Sequence, residues 1–248
     1  MAILLTGAEG MIGSNLSLAL QNKGHEVLHF EGDVTKKNRW DQYRNQRYDA
    51  VIHLAAFAGV RPSFEDPDAY FHNNITSTEH ALVFGQDHTN KMLYASSSNA
   101  YEWWGNPYAA TKKMNEVQGR LFKSIGMRFH TVWPGREDML YRKLQKGEVT
   151  HVNVHHYRDF IHVSDLVNGI ITIMDNFDKV YADKYGVCDI GTGHPIPVAE
   201  VAKLMGFAGE YRDENPKGER IKTCADVEYL LQLGWTPKLN IMDLKSHT

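Results

Sequence analysis

The first half of the chain alternates between short apolar runs and longer segments with apolar residues at helical spacing. We expect strands at residues 2–5, 26–30, 49–56 and 91–95, and helices at residues 14–22, 39–46, 66–84 and 108–124. Short apolar runs are typical of buried strands, and apolar residues spaced three and four apart are typical of helices. Strands that alternate with helices in this order predict an α/β protein with a parallel sheet.

A glycine turn follows the first strand directly. Gly7, Gly10 and Gly13 have the spacing G-x-x-G-x-x-G, with Met11 and Ile12 before the last glycine. The first glycine permits a tight turn, the second lets backbone approach a pyrophosphate, and the third lets helix and strand pack closely. The N-terminus of the next helix favours an anion. The pattern predicts a dinucleotide site, formed by these residues, in a Rossmann-like doubly wound parallel sheet.

The end of the second strand indicates which dinucleotide binds. A carboxylate there would contact the adenosine ribose and select NAD over NADP. Glu31 is the better candidate and Asp33 the other, whereas Lys36 and Lys37 would instead meet a 2′-phosphate. We favour NAD because the acids come first. Small residues that end the 49–56 run would let a cofactor ring lie against backbone, and the further predicted cofactor contacts are Leu54, Ala55, Ala56 and Asn74.

A serine, a tyrosine and a lysine form the candidate catalytic group. The strand at residues 91–95 delivers Ser97 at its carboxyl end, where ligands bind in open α/β sheets. Tyr108 and Lys112 stand at i and i+4, so they share one face of a helix. A neighbouring ammonium favours the phenolate, so we expect Lys112 to lower the pKa of Tyr108. Such a group would move a proton to or from an alcohol while a hydride leaves or arrives.

Composition excludes several other classes of protein. The 248 residues are 42% hydrophobic and 23% charged with net charge −3, which is ordinary for a globular protein and gives no basic excess for nucleic acid. No apolar run is long enough to cross a membrane, and the first residues predict a strand, not a signal peptide. The two cysteines suggest no disulfide framework and fit a reducing, cytoplasmic location.

Five motifs in series resemble one family. TGAEGMIGSNL, VIHLAAFAGVRPS, YASSSNAY, YAATKK and RDFIHVSDLVNGI are similar to segments of the extended short-chain dehydrogenase/reductase family of nucleotide-sugar epimerases and dehydratases. Within that family, AGVR followed by serine, the serine cluster and GREDM are most similar to UDP-glucuronate 4-epimerases. The resemblance implies residues 1–128, joined by 163–192, as the NAD-binding domain. It implies residues 129–162 and 193–248 as a small C-terminal substrate-binding lobe.

The resemblance also implies roles for individual residues. Ser97, Tyr108 and Lys112 match the family's catalytic residues, and Lys112 would also hold the nicotinamide ribose. Thr131 and Arg136 match residues that hold the sugar and its carboxylate, Arg158 one near the diphosphate, and Glu219 one on a nucleotide ribose. The implied substrate contacts are Arg61, Ser97, Ser98, Thr131, Arg136, Arg158 and Glu219.

The implied function is an NAD-dependent 4-epimerase acting on a UDP-sugar such as UDP-glucuronate. A dehydratase or decarboxylase is the first alternative, but the acids that those relatives carry are replaced here by Ser98 and Asn99. A reductase using NADP and a non-catalytic NAD-binding protein are the others. The family's habit implies a homodimer through helices 68–84 and 108–124, although core packing explains their apolar faces about as well. We expect no metal site, because the spacing of His151, His155, His156 and His162 fits no common ligand set.

Three departures from the family pattern fall on substrate-covering parts. The loop between Tyr101 and Tyr108 is short, and the region between the second strand and Asp49 is shortened as if one strand were missing. The segment from Thr131 to Arg136 also lacks residues, which puts Arg136 at risk of missing the pocket.

Overall fold

Six parallel strands form the central sheet in the computed structural model, which describes residues 1–246. The strands are β1 (Ala2–Thr6), β2 (Glu26–His29), β3 (Ala50–His53), β4 (Met92–Ser97), β5 (Ser124–Phe129), β6 (Thr131–Trp133), β7 (His151–Asn153), β8 (Tyr157–His162), β9 (Val187–Ile190), β10 (Pro195–Pro197) and β11 (Glu210–Arg212). The helices are α1 (Met11–Asn22), α2 (Lys37–Trp40), α3 (Val60–Glu65), α4 (Pro67–His88), α5 (Pro107–Gly119), α6 (Leu140–Gln145), α7 (Val163–Asp175), α8 (Phe177–Lys184), α9 (Val198–Leu204) and α10 (Glu228–Gln232). Short 3₁₀ turns lie at Asp41–Tyr43, Ser98–Glu102 and Ile241–Ser246.

The main sheet has the order β2-β1-β3-β4-β5-β9, and every neighbouring pair is parallel. Successive residues of β1 point to opposite faces, as the pleat requires. Ile3 and Leu5 join a core with α1 and α7, whereas Leu4 joins a second core with α4. Helices therefore cover both faces, and the predicted doubly wound parallel sheet is confirmed.

β2 lies at the edge of this sheet, and a tyrosine side chain hydrogen-bonds part of its open backbone. In the usual six-stranded order a further strand lies outside β2; the shortened stretch before Asp49 lacks it, as predicted. The Tyr43 hydroxyl accepts the Glu31 backbone N–H at 2.7 Å and donates to the His29 carbonyl at 3.2 Å. One side chain thus satisfies backbone groups that would otherwise pair with a neighbouring strand.

Two small sheets lie outside the main one. One has the order β10-β8-β6 and the other pairs β11 with β7. They share a third core, in which Trp133, Phe160 and Val201 are buried. Their strands fall within 129–162 and 193–248, but the division of the chain at those boundaries stays a prediction. Residues 247–248 of the predicted lobe lie outside the described residues.

Several predicted boundaries are wrong. The helix expected to reach residue 124 ends at Gly119, and Ser124 already begins β5. Gly119 lies so close to the Tyr94 ring that a Cβ there would overlap it. The helix expected at 39–46 is only Lys37–Trp40 followed by a 3₁₀ turn. The expected loop at 59–63 contains α3, whose Pro62 lies in the first turn, where proline is tolerated.

The described residues contain no helix that is long and apolar enough to span a membrane.

Candidate functional site

The glycine turn lies where β1 delivers the chain to the N-terminus of α1. Gly7 has φ +69°, and a Cβ there would lie 2.7 Å from the backbone nitrogen of Ala55. A Cβ on Gly13 would overlap the Gly7 carbonyl, so this position also requires glycine. Gly10 is the N-cap of α1, and neither a side-chain cap nor an acid occupies the first turn. The cradle therefore has the free N-terminus and close backbone that a pyrophosphate requires.

The end of β3 lies beside this turn. Leu54 and Ala55 both bond to Thr6, through the Thr6 carbonyl at 3.2 Å and the Thr6 hydroxyl at 3.2 Å. Asn74 is fully buried and bonds both backbone groups of Phe57 and the Thr111 hydroxyl at 2.8–3.0 Å. Its amide holds the loop after β3 against α5, so any role towards a cofactor would act through that loop. The cofactor roles of Leu54, Ala55, Ala56 and Asn74 stay predictions.

His53, at the end of β3, is buried and neutral. Its Nδ1 bonds the Thr6 hydroxyl at 2.8 Å, and its Nε2 has no partner within residues 1–246. Burial, with Lys112 nearby, lowers the pKa of His53 from 6.5 to about 3. The folded pKa lies below the unfolded value of 6.5, so the unfolded state takes up a proton first as the pH falls. The free energy of unfolding is therefore unaffected above pH 6.5 and decreases as the pH falls toward 3.

We therefore expect His53 to lower the free energy of unfolding by about 2 kcal/mol between pH 7 and pH 5. Urea unfolding of the parent and of His53→Gln at both pH values measures this pH-dependent contribution, which should be absent in the variant. His194→Gln, at an exposed histidine, is the control. Equal pH dependence in the parent and His53→Gln would contradict the assignment.

The two acids at the end of β2 have different surroundings. Glu31 is exposed, with its backbone held by Tyr43. The Asp33 carboxylate accepts the Thr35 hydroxyl at 2.7 Å and the Thr35 N–H at 2.9 Å, and these bonds lower its pKa. The stem of Arg39 lies over Gly32, between the two acids. The carboxylate of Glu31 is thus the one left for a ligand, although its role and that of Asp33 stay predictions.

The candidate catalytic side chains converge at the carboxyl end of β4. Asn106 caps α5 by accepting the Ala109 N–H at 2.8 Å, and Pro107 begins the helix, which is a common helix start. Ser97 lies close enough to Tyr108 to lower the pKa of its hydroxyl, and the Ser97 hydroxyl accepts the Asn99 N–H at 3.2 Å. The Lys112 ammonium is buried, donates to the Ala95 carbonyl at 3.0 Å and lies 5.9 Å from the centre of the Tyr108 ring. The structure thus brings together all three predicted residues.

The pKa of Tyr108 differs from the sequence expectation. Burial raises it above the ordinary value of 10, although the nearby Ser97 hydroxyl and the charge of Arg136 both lower it. Lys112, whose ammonium donates to the Ala95 carbonyl, is not among the causes of this shift. Burial also lowers the pKa of Lys112 to about 8. The expectation that Lys112 lowers the pKa of Tyr108 is therefore wrong for the protein by itself.

A buried ion pair that sequence reasoning missed anchors the same helix. Glu116, two turns after Tyr108, accepts two bonds of 2.7 Å from Arg128 on β5 and one of 2.7 Å from the Ser96 hydroxyl. Arg128 lies 4.2 Å from the centre of the Tyr101 ring. These contacts fix α5 against β4 and β5. A buried glutamate on the tyrosine-bearing face, spaced i+4 from Lys112, was the available sequence signal.

Arg136 influences the candidate catalytic tyrosine, Tyr108, despite the shortened segment before it. Gly135 has φ +77° and turns the chain after β6, and Arg136 is close enough to influence the pKa of both Tyr108 and Tyr70. Its guanidinium bonds the Asp138 carboxylate at 2.9 and 3.0 Å. Thr131 begins β6 opposite Phe160. Their substrate roles stay predictions.

Three further predicted substrate residues, Arg61, Arg158 and Glu219, form a charged cluster. Glu219 bonds Arg61 at 2.9 Å and lies 3.8 Å from Arg158. Arg158 also donates to the carbonyls of Tyr157 and Ile221 at 2.9 and 3.2 Å, and burial lowers its pKa. The cluster therefore joins α3, β8 and the segment before residue 222. Whether it meets a nucleotide stays a prediction.

Arg220 is a further residue that sequence reasoning missed. It donates to the Ser98 carbonyl at 2.7 Å and to Glu102 at 3.0 Å. It thus ties the C-terminal segment to the turn that follows Ser97. A single arginine in a polar loop gives no sequence signal for this contact.

His151, His155, His156 and His162 form no metal cluster within the described residues. Within residues 1–246, no group of three or more His, Cys, Asp or Glu side chains has the arrangement of a metal site. His156 instead lies 3.7 Å from Glu219, and His162 bonds Ser164 at the start of α7.

The fold and the site define a Rossmann-type nucleotide-binding protein with a Ser-Tyr-Lys group. The profile of the NAD dependent epimerase/dehydratase family matches residues 3–106 and 94–188. The chain therefore belongs to this family, which confirms the predicted resemblance. The predicted cofactor, NAD, is confirmed at the level of the family.

Individual relatives are similar over most of this chain. UDP-glucuronate 4-epimerase 3 of Arabidopsis thaliana is 27% identical over 82% of this chain, and the match covers 64% of that relative's length. Protein CapI of Staphylococcus aureus is 29% identical over 98% of the chain and 96% of its own length. The structure of MoeE5 in complex with UDP-glucose and NAD has TM-score 0.84 and 27% identity, covering 98% of this chain and 95% of that one.

Proposed function

We propose that this protein is an NAD-dependent nucleotide-sugar 4-epimerase. The observation that carries the proposal is the grouping of Ser97, Tyr108 and Lys112 at the carboxyl end of β4, with the Lys112 ammonium 5.9 Å from the centre of the Tyr108 ring. A protein that merely bound NAD would not need all three side chains. Family membership supports this class of reaction.

The cradle of Gly7, Gly10 and Gly13 fits the pyrophosphate of NAD, because a Cβ at any of these positions would crowd neighbouring backbone atoms. Bound NAD would supply the hydride acceptor and donor. Tyr108 would take the proton from the sugar 4-hydroxyl and return it, and Ser97 would align that hydroxyl. Arg136 would favour the phenolate, since its charge already lowers the pKa of Tyr108 against the effect of burial.

We propose a UDP-sugar as substrate, with UDP-glucuronate the first to test. The support is the similarity to UDP-glucuronate 4-epimerases and to MoeE5, whose structures include complexes with UDP-glucose and with UDP-glucuronic acid. Arg136, beside Tyr108, is the cation that would meet a uronate carboxylate. Ser98 and Asn99 stand where family dehydratases and decarboxylases carry acids, which disfavours those reactions.

The test is incubation of the NAD-loaded protein with UDP-glucuronate, followed by separation of the sugar nucleotides. We expect UDP-galacturonate to form with no steady-state change in NADH absorbance, because each turnover regenerates NAD. Net NADH formation would indicate a dehydrogenase. An unsaturated or decarboxylated product would indicate one of the alternatives, and no reaction with any UDP-sugar would contradict the proposal.

NAD is expected to bind more tightly than NADP. The exposed Glu31 carboxylate at the end of β2 would repel a 2′-phosphate and accept bonds from a ribose. Fluorescence titration of Glu31→Gln should show weaker NAD binding and a smaller preference over NADP. Glu26→Gln, at the exposed start of the same strand, is the control. Tighter binding of NADP to the parent would show that Lys36, Lys37 or Arg39 governs this end of the site.

We also propose a homodimer through α4 and α5. Met114 and Val117 are 45% and 51% exposed on α5, and Leu121 just beyond it is 80% exposed. Phe71 on α4 is 41% exposed. Light scattering at micromolar concentration should give a dimer mass for the parent and a monomer mass for Val117→Glu, whereas Leu18→Glu on α1 should not change the mass. A monomeric parent would contradict the proposal. We expect the protein to act in the cytoplasm.

A further inference from the structure

The C-terminal segment at residues 216–220 lies directly against the loop that leads into α5. Gly218 turns this segment with φ +76°, and a Cβ there would lie 2.8 Å from the carbonyl oxygen of Gly105. The Gly218 carbonyl also accepts the Asn106 side-chain amide at 2.9 Å. Asn106 is the residue that caps α5, so the segment is bonded to the start of the helix that carries Tyr108.

The next side chain of this segment, Arg220, lies against the turn that follows Ser97. Its Nη1 donates to the Ser98 carbonyl at 2.7 Å, its Nε donates to Glu102 at 3.0 Å, and its guanidinium carbon lies 5.6 Å from the centre of the Tyr101 ring. Bonds from a charged donor are stronger than neutral ones. The side chain is only 14% exposed, which shields these bonds from water. Arg220 therefore holds the 3₁₀ turn from its first residue to its last.

The hydroxyl of Ser97 is part of the same turn. It accepts the Asn99 backbone N–H at 3.2 Å and the Asn99 side-chain amide at 3.3 Å, and so caps the start of the turn. A shift of the turn relative to β4 would move these donors and redirect the hydroxyl. A misplacement of about 1 Å can lower a rate by about 100-fold. A side chain that fixes the turn thereby fixes the Ser97 hydroxyl.

We propose that Arg220 is a positioning residue, which holds the Ser98 carbonyl and through it keeps the Ser97 hydroxyl where the substrate hydroxyl must lie. The inference rests on the proposed function, because the task of Ser97 is assigned there. Since the same segment is bonded to Asn106, Arg220 also fixes the turn relative to the start of α5. A residue of the small C-terminal lobe would thus set the geometry between Ser97 and Tyr108.

The experiment measures kcat, KM and urea unfolding for the parent and its variants, with NAD at saturation. The substrate is UDP-glucuronate, or UDP-glucose if the parent accepts only that sugar. Arg220→Met removes the N–H groups and keeps an unbranched side chain. We expect it to lower kcat by about 10-fold and to change KM by less than about twofold, because the hydroxyl is misplaced while the other substrate contacts remain.

Two further variants separate the bond to Ser98 from the charge pair. Arg220→Lys keeps one cationic donor for the Ser98 carbonyl, so it should recover most of the loss in kcat. Glu102→Gln is the matched control: it removes the ion pair of Arg220 but leaves the Ser98 bond. That variant should keep kcat within about twofold of the parent, because an exposed carboxylate contributes little to an ion pair.

A double-mutant cycle tests whether Arg220 acts through Ser97. If it does, adding Arg220→Met to Ser97→Ala should lower kcat by less than about twofold further, because the hydroxyl that it positions is already absent. A role in stability alone would lower the urea midpoint and leave kcat of the folded protein unchanged. Should Arg220→Met fail to fold, Arg220→Gln, which is too short to keep both bonds, takes its place in the cycle.

The outcomes that overturn the inference are distinct from failure of the proposed function. Normal turnover by the parent with unchanged kcat in Arg220→Met overturns this inference alone. Losses that multiply in the cycle would show that Arg220 acts by a route other than Ser97, and a higher KM at unchanged kcat would show that it binds substrate. Equal losses in Arg220→Lys and Arg220→Met would exclude the bond to Ser98 as the cause. A parent that acts on no UDP-sugar overturns the proposed function and this inference with it.

Discussion

Tyr108→Phe is expected to lower kcat on UDP-sugars by about 10²- to 10⁴-fold, the usual contribution of a general acid–base group. The substitution deletes the phenolic oxygen and leaves the ring in place. NAD binding should therefore be retained, which titration by fluorescence would measure beside the steady-state rate. Because burial raises the pKa of Tyr108, the parent rate should rise with pH as the phenolate becomes more populated.

The neighbouring residues serve as comparisons for that result. Ser97→Ala should have a milder effect, because Ser97 aligns the hydroxyl and does not take the proton to solvent. Lys112→Ala should lower the rate and also loosen NAD. Tyr70→Phe is the matched control, since its ring lies 6.3 Å from that of Tyr108 while its hydroxyl bonds the Ala58 carbonyl. Full activity of Tyr108→Phe on every UDP-sugar tested would contradict the mechanism.

Glu116→Ala is expected to lower the free energy of unfolding by about 3 kcal/mol, the lower end of the usual cost of breaking a buried ion pair. Glu116 is 2% exposed, and its removal leaves Arg128 largely buried. We choose the lower end because Arg128 would keep its contact with the Tyr101 ring and its position 3.9 Å from Asp189. In thermal unfolding the midpoint should fall by roughly 6–12 °C for a domain of this size.

Two further variants separate the ion pair from its surroundings. Ser96→Ala removes one bond to Glu116 but keeps Arg128 paired, so it should cost only about 1–2 kcal/mol. The double variant Glu116→Leu/Arg128→Leu removes both charges of the pair together, so its loss should be smaller than the sum of the single losses. A double variant whose loss equals that sum would show that the two side chains do not act as a pair.

The order of the main strands and helices could be predicted from sequence because each carries its own pattern. The glycine turn at Gly7, the apolar run of β3 and the spacing of Tyr108 and Lys112 are local signals. The end of α5 was not predictable in this way. The helix ends at Gly119, where it lies close to Tyr94, a residue far away in the chain.

Distant contacts also decided the electrostatics of the candidate site. From spacing alone, Lys112 should have lowered the pKa of Tyr108. In the fold, Ala95 binds the ammonium, burial raises the tyrosine pKa, and Arg136 from beyond β6 supplies the opposing charge. Tyr43 likewise satisfies an open strand edge that no nearby sequence signal assigns to it.

The sequence by itself determined the family, the glycine cradle and the identity of Ser97, Tyr108 and Lys112 as candidates, because these depend on residue type and short spacing. Only the tertiary structure decided that Glu116 binds Arg128 and so anchors α5, and that Asp138 engages Arg136. It also decided that Glu219 joins Arg61 to Arg158. Burial and charge pairing depend on which distant side chains meet, and that is fixed when the sheet and the small lobe pack together.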